Sequence, residues 1–229
     1  MWIIGDIHGC FTELDKLLSS IPSNDKLLFL GDYVDRGLHS FNVIERILLE
    51  KHRSVYLLGN HEEMMIDFLK NNGDKRDHYW LHIHNGGKET LDSYSLNINS
   101  NFSDIPVSHQ EFLSNLNLYY EDDNFIAVHA GIRVTEDINM ENQKKEDLIW
   151  IRNEWILNEF KWTGKHIYYG HTSSYMFSEN TSFKEFIRGK KSTGLDTGCV
   201  YGGYLSAVNT ETLDTIQIIS ENALYPDES

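Results

Sequence analysis

The sequence predicts an α/β fold whose front half is built on parallel strands. Three observations carry that prediction. Over the first seventy residues, short apolar runs alternate with segments of helical spacing. Five apolar runs along the chain each end in a cluster of Gly, Asp, Asn or His. Near its end the chain changes to two strand-like segments in succession. Strand–helix alternation implies parallel pairing, because each helix carries the chain back to begin the next strand in the same direction.

The elements follow in order. Trp2-Ile3-Ile4 is a short strand closed by Gly5-Asp6, and residues 11–19 form a helix with Leu14, Leu17 and Leu18 on one face. Leu27-Leu28-Phe29-Leu30 is a buried strand closed by Gly31-Asp32. Residues 41–49 form the second helix, with Val43, Ile44, Ile47 and Leu48 apolar. Val55-Tyr56-Leu57-Leu58 closes at Gly59-Asn60, and residues 62–69 are helical. Residues 71–110, rich in Asn, Ser and His, show no period and are assigned as a candidate substrate-facing insert. Phe125-Ile126-Ala127-Val128 ends at His129, and His166-Ile167-Tyr168-Tyr169 ends at Gly170-His171. Residues 203–208 and 213–219 are expected to form an antiparallel meander. With three prolines and no linker or repeat, residues 1–229 are assigned to one domain.

Charge narrows the function. Thirty-five acidic side chains against 20 basic ones give a formal charge of −15, which argues against binding nucleic acid or an anionic membrane surface. A hydrophobic content of 40% argues against disorder. Two cysteines, Cys10 and Cys199, are too few for a disulfide framework, and the first residues lack a basic region followed by an apolar stretch. The expectation is a cytoplasmic protein with no nucleic-acid or membrane partner; oligomeric state leaves no mark in the sequence.

The strand-end clusters carry the chemistry. They are Gly5-Asp6-Ile7-His8-Gly9, Gly31-Asp32-Tyr33-Val34-Asp35-Arg36-Gly37, Gly59-Asn60-His61-Glu62, His129-Ala130-Gly131 and Gly170-His171-Thr172. Loops at the carboxyl ends of parallel strands converge on one crevice. Their donors are carboxylate, imidazole and amide without thiol, which suits Mn²⁺, Fe or Zn²⁺ in a catalytic site rather than a structural zinc. Six candidate ligands exceed one tetrahedral ion, so two ions sharing a carboxylate is the natural arrangement.

These motifs resemble the signature of the PPP-type calcineurin-like metallophosphoesterases, and the length and Gly-rich tail, Asp196-Thr197-Gly198-Cys199-Val200-Tyr201-Gly202-Gly203, resemble its small bacterial and phage members. The resemblance implies a four-layer α/β/β/α sandwich of mixed sheets. It implies that Asp6 and His8 hold a first divalent ion, that Asn60, His129 and His171 hold a second, and that Asp32 bridges them, with Mn²⁺ the first choice. It implies attack by a hydroxide bridging the metals, with His61 as general acid and Asp35 orienting it. Arg36, and Arg152 of Trp150-Ile151-Arg152, would hold phosphate. Arg suits a planar bidentate grip on phosphate better than Lys.

Two activities fit. The main reading is a phosphomonoesterase of the Ser/Thr protein phosphatase type, acting on a phosphorylated protein or peptide or a small phosphate ester. The alternative is a symmetrical bis(5'-nucleosyl)-tetraphosphatase. Glu62, where those enzymes typically carry Asp, and the presence of Asp35 favour the first. A catalytically dead binding module would have lost a ligand or the acid, and none is lost. Many relatives carry Arg where this chain has Leu58, and Arg133 is a candidate substitute. Outside the motifs, His82-Ile83-His84 is assigned to an edge strand or surface loop, and Asn85-Gly86-Gly87 to a turn that could line the crevice. Trp150 and Trp155 are assigned to the core, the cysteines to packing, and Asp196 to a turn.

Overall fold

In the computed structural model, residues 1–71, 75–135, 139–177 and 185–221 are described. The front half runs β1 (Trp2–Ile4), α1 (Phe11–Ser20), β2 (Leu27–Phe29), α2 (Ser40–Leu48), β3 (Ser54–Tyr56) and α3 (Asn60–Lys70). Two short helices follow, α4 (Gly87–Ser93) and α5 (Val107–Ser114). The back half runs β4 (Tyr119–Glu121), β5 (Phe125–Val128), α6 (Lys145–Trp150), α7 (Asn153–Ile156), β6 (His166–Tyr169), β7 (Ile187–Arg188), β8 (Ser192–Gly194), β9 (Tyr204–Asn209) and β10 (Thr215–Ile219).

The strands form two five-stranded mixed sheets, ordered β10-β9-β1-β2-β3 and β4-β5-β6-β8-β7. β1, β2 and β3 pair in parallel, as the alternation predicts, and β9 and β10 are the expected antiparallel meander. β5, β6 and β8 are parallel in the second sheet.

Period-two alternation explains the layering. Ile3 and Leu28 point to a core shared with Phe125, Ala127 and Tyr168 of the second sheet. Their neighbours Trp2, Ile4, Leu27 and Phe29 point away, onto α1, α2 and α3. Ile126, Val128, Ile167 and Tyr169 face outward beneath Leu148, Ile149 and Trp155. Successive side chains on a strand face opposite sides, so a strand apolar on both sides must be covered on both. The result is helices, sheet, sheet, helices: the four-layer sandwich.

Several boundaries shift by a residue or two, and two of them bear on the site. α3 begins at Asn60 rather than at residue 62, because Glu62 caps it from inside: its Oε2 accepts the Gly59 N–H at 3.1 Å. β3 ends at Tyr56, since Leu58 turns its N–H to the Asn117 carbonyl at 2.8 Å. No helix among the described residues is long and apolar enough to cross a membrane.

Candidate metal centre

The site is assembled by loops that follow parallel strands of both sheets. The β1 loop is tied to the β2 loop by the N–H groups of Ile7 and His8, both donating to the Asp32 carbonyl at 3.0 and 2.8 Å. Glu62 clamps the β2 loop from α3. Its carboxylate accepts the N–H groups of Asp32 (2.9 Å), Tyr33 (2.7 Å) and Val34 (3.2 Å) as well as Gly59. Burial pushes Glu62 up to about 8, against those N–H groups, which favour its ionised form. The loops hold His8, Asp32, Asp35, Arg36 and His171 at positive φ, between 46° and 74°. Such backbone costs about 1–3 kcal/mol per residue and persists only where the surroundings impose it. Gly59 and Gly170 leave room for two of the carboxylates, since a Cβ at either would lie 2.2 Å from Asp32 Oδ1 or 2.1 Å from Asp6 Oδ1.

All ten predicted site residues converge here. Asp32 stands in the middle: its Oδ2 is 3.4 Å from His8 Nε2 and its Oδ1 is 3.4 Å from His129 Nε2. Donor atoms of His8, Asp32 and His61 lie within 4.8 Å of one another, as do those of Asp32, His129 and His171. Asn60 Oδ1 is 3.0 Å from His129 Nε2, and Asp6 Oδ2 accepts the His171 N–H at 2.9 Å. Arg36 reaches His8 Nε2 with its guanidinium and lies 5.6 Å from the Tyr201 ring centroid. Arg152 donates to the His171 carbonyl at 2.6 Å and to Thr172 Oγ1 at 3.2 Å.

The donor set fits divalent cations. His8 Nδ1 and His129 Nδ1 each donate to a backbone carbonyl, of Val34 and Leu30, at 2.9 Å. Each Nε2 is therefore an acceptor lone pair turned toward an Asp32 oxygen: that of His8 is met by the Arg36 guanidinium, while that of His129 faces the Asp32 and Asn60 oxygens alone, an arrangement of acceptors that calls for positive charge between them. Burial lowers the pKa of His8, His129 and His171, so these imidazoles are neutral, as ligands must be. Asp6 Oδ1 is buried without a hydrogen-bond partner. Burial, then the charges of Asp196 and Asp32, push the Asp6 carboxyl well above the usual range. Buried carboxylates that repel one another are relieved by a cation.

His61 stands apart from this pattern. Its Nδ1 is 2.7 Å from Asp35 Oδ2, and it is packed edge to face with His8 at 4.7 Å between centroids. Asp35 is wholly buried. Its Oδ2 also accepts Trp80 Nε1–H at 2.7 Å, and its Oδ1 accepts the Thr90 hydroxyl at 2.7 Å. Trp80 and Thr90 come from the 71–110 segment, so that segment buttresses the dyad. Arg36 N–H meets the Gly86 carbonyl at 3.3 Å and Arg36 Nε the His84 carbonyl at 3.3 Å, which places the Asn85-Gly86-Gly87 turn on the site's rim. His82 and His84 are exposed in a loop, as expected.

Three residues, Trp150, Arg133 and Asp196, read differently in three dimensions. Trp155 is buried, but Trp150 is 39% exposed and turned edge-on to His171 at 6.2 Å. Its position at the end of α6 sends it outward, where Nε1 bonds Glu63 at 2.9 Å. Arg133 is no phosphate ligand in waiting: it forks onto Asp147 at 2.6–3.0 Å. Leu58 packs in the second-sheet core. Asp196 is more than a turn residue. It follows β8, a parallel strand with no apolar run to announce it, and its charge acts on Asp6, Arg36 and Arg152.

A two-sheet sandwich with a carboxylate–imidazole centre at its strand ends defines a metal-dependent phosphate-ester hydrolase. A family model described as calcineurin-like phosphoesterase matches residues 1–188, and the chain belongs to that family. Among curated relatives, bis(5'-nucleosyl)-tetraphosphatase PrpE [asymmetrical] of Anoxybacillus flavithermus is 28% identical over 95% of this chain and 93% of its own length. The protein of that name from a Geobacillus species is 28% identical over 99% and 96%. Among solved structures, a candidate diadenosine tetraphosphatase superposes with a TM-score of 0.70 at 23% identity, covering 96% of this chain and 93% of its own. A Saccharomyces cerevisiae protein serine/threonine phosphatase superposes with a TM-score of 0.55 at 17% identity, covering 99% and 81%. These two likenesses are of fold.

Proposed function

We propose that the chain hydrolyses a phosphoanhydride of a dinucleoside tetraphosphate, cutting it asymmetrically into a nucleoside triphosphate and a nucleoside monophosphate. The observation that carries this is the near-full-length similarity at 28% identity to relatives named as asymmetrical tetraphosphatases. The features that favoured a phosphomonoesterase weigh less once placed. Glu62 spends its carboxylate on four backbone N–H groups and faces the scaffold rather than a substrate. Asp35 serves His61, which either reaction can use.

In this reading Asp6, His8 and Asp32 hold one divalent ion, and Asp32, Asn60, His129 and His171 the other, with Mn²⁺ the first choice. Ions held there neutralise phosphate oxygens and acidify water near neutral pH. Arg36 and Arg152 bind non-bridging phosphate oxygens. The N-terminus of α3, which carries Asn60 and His61, adds its partial positive charge. The water oxygen would bond to phosphorus as one of its protons passes to solvent, the P–O bond to the leaving phosphate would break, and His61 would give a proton from Nε2 to the departing oxygen. Asp35, accepting from Nδ1, fixes the orientation of the ring so that Nε2 is the atom left to transfer the proton. Residues 71–110 serve here as the support of that dyad.

The test is product analysis. Diadenosine tetraphosphate with Mn²⁺ is expected to give ATP and AMP in equal amounts by ion-exchange chromatography, with chelation abolishing turnover. Two ADP would mean symmetrical cleavage. A phosphoserine peptide turned over with the higher kcat/KM would restore the phosphomonoesterase reading.

A further inference from the structure

The chain has two cysteines, and the fold brings them together beside the donor set above but with none of its ligand atoms among theirs. Cys10 is the N-cap of α1 and Glu13 the third residue of that helix, so their side chains share its first turn. Cys199 approaches from the turn after β8, between Gly198 and Gly202, both left-handed at φ 66° and 89°. The two Sγ atoms and a Glu13 carboxylate oxygen lie within 4.8 Å of one another.

Glu13 adds an independent reason to look for a cation. It is only 4% exposed. Among the described residues its carboxylate accepts a hydrogen bond from the Glu221 N–H at 2.9 Å, and no basic side chain pairs with it. A buried carboxylate is ordinarily paired with a cationic group or bound to a metal. Cys199 is 2% exposed, and the Cys10 thiol contacts the His8 carbonyl at 3.7 Å.

We propose that Cys10, Glu13 and Cys199 form a separate site for a soft divalent cation, Zn²⁺ or Cd²⁺. Thiolate selects such ions, whereas the carboxylate–imidazole centre suits harder ones. A tetrahedral ion about 2.3 Å from sulfur spaces its donors roughly 3.5–4 Å apart, so three donors within 4.8 Å need only small side-chain rotations to close. Solvent takes the fourth position. The ion would staple the loop carrying Asp6 and His8 to the loop carrying Asp196.

The experiment uses the full chain with its thiols reduced and Mn²⁺ present in excess, titrated with Cd²⁺. The thiolate-to-cadmium charge-transfer band in the ultraviolet is expected to grow to one cadmium per chain and to shield both thiols from a disulfide reagent. The chain has no other cysteine, so the band reports this site alone. Cys199→Ala is expected to weaken cadmium binding roughly tenfold or more, and Glu13→Gln to weaken it while the two-thiolate band persists. Absence of the band at saturating cadmium overturns the proposal. So does binding unchanged by Cys199→Ala, which would mean Cys10 acts alone, or saturation at half a cadmium per chain, which would mean a site between two molecules. If a variant fails to fold, the stoichiometry and thiol protection of the unaltered chain decide.

Discussion

Asp35 shows how much of this site is held from a distance. One oxygen is shared by His61 and Trp80, and the other is capped by Thr90, 55 residues away in sequence. His61→Asn removes the proton donor and leaves every proposed ligand in place. Metal content should be unchanged and turnover should fall by roughly 10²–10⁴. The loss should be smaller on the tetraphosphate than on an alkyl phosphomonoester, because a departing phosphate, with a pKa of about 6, needs a proton less than an alkoxide does. Trp80→Phe keeps the packing and deletes one hydrogen bond to a carboxylate, worth about 1.5–3 kcal/mol. It should lower kcat with little change in KM, and the loss should grow with the pKa of the leaving group across a series of esters. A uniform loss across the series would make Trp80 a packing residue only. His61 and Asp35 are legible in the sequence because each lies in a dense motif. Trp80 and Thr90 are not, because an indole or a hydroxyl in a polar, aperiodic stretch carries no mark of the carboxylate it will meet.

Three helices of the first layer meet at another imidazole. His109 of α5 lies 2.7 Å from Glu45 of α2 through Nε2 and 2.8 Å from the Tyr94 hydroxyl, just past α4, through Nδ1. The neutral ring satisfies both, donating from Nε2 and accepting at Nδ1. Burial lowers the His109 pKa despite Glu45. The unfolded chain therefore binds this proton at a higher pH than the folded one does, and stability is lost as pH falls below about 6.5. Urea unfolding at about pH 7.5 and 5.5 should show a larger drop for the unaltered protein than for His109→Gln. Equal drops would mean the ring is protonated in the fold. Of the elements, β1, β2, β3, β5, β6, β9, β10 and helices α1 to α3 are visible as apolar runs and helical spacing. α4 and α5 are not: they are short, and they are held by contacts such as this one and by Trp80, Leu91 and Ile105 in the first core, rather than by a long apolar stripe. β8 escapes for a similar reason, since Ser192-Thr193-Gly194 is buried without being apolar.

At the scale of the molecule, the −15 charge and the site oppose each other. Five buried carboxylates, Asp6, Asp32, Asp35, Glu62 and Asp196, belong to the site, where proposed cations and two arginines outweigh them. The exposed acidic side chains among the described residues form a shell that a tetraphosphate must cross. Charges on a protein surface act over a Debye length of about 10 Å at 0.1 M salt, and further at lower salt. Repulsion should therefore slow capture at low ionic strength and be relieved as salt rises. Raising sodium chloride from about 10 mM to about 200 mM should increase kcat/KM for diadenosine tetraphosphate several-fold, and by less for p-nitrophenyl phosphate, which carries less charge. The comparison between the two substrates separates long-range steering from changes at the centre, which would affect both alike. A fall in kcat/KM with salt for the tetraphosphate would mean that the field of Arg36, Arg152 and the bound cations reaches past the shell, and that the molecule draws its substrate in.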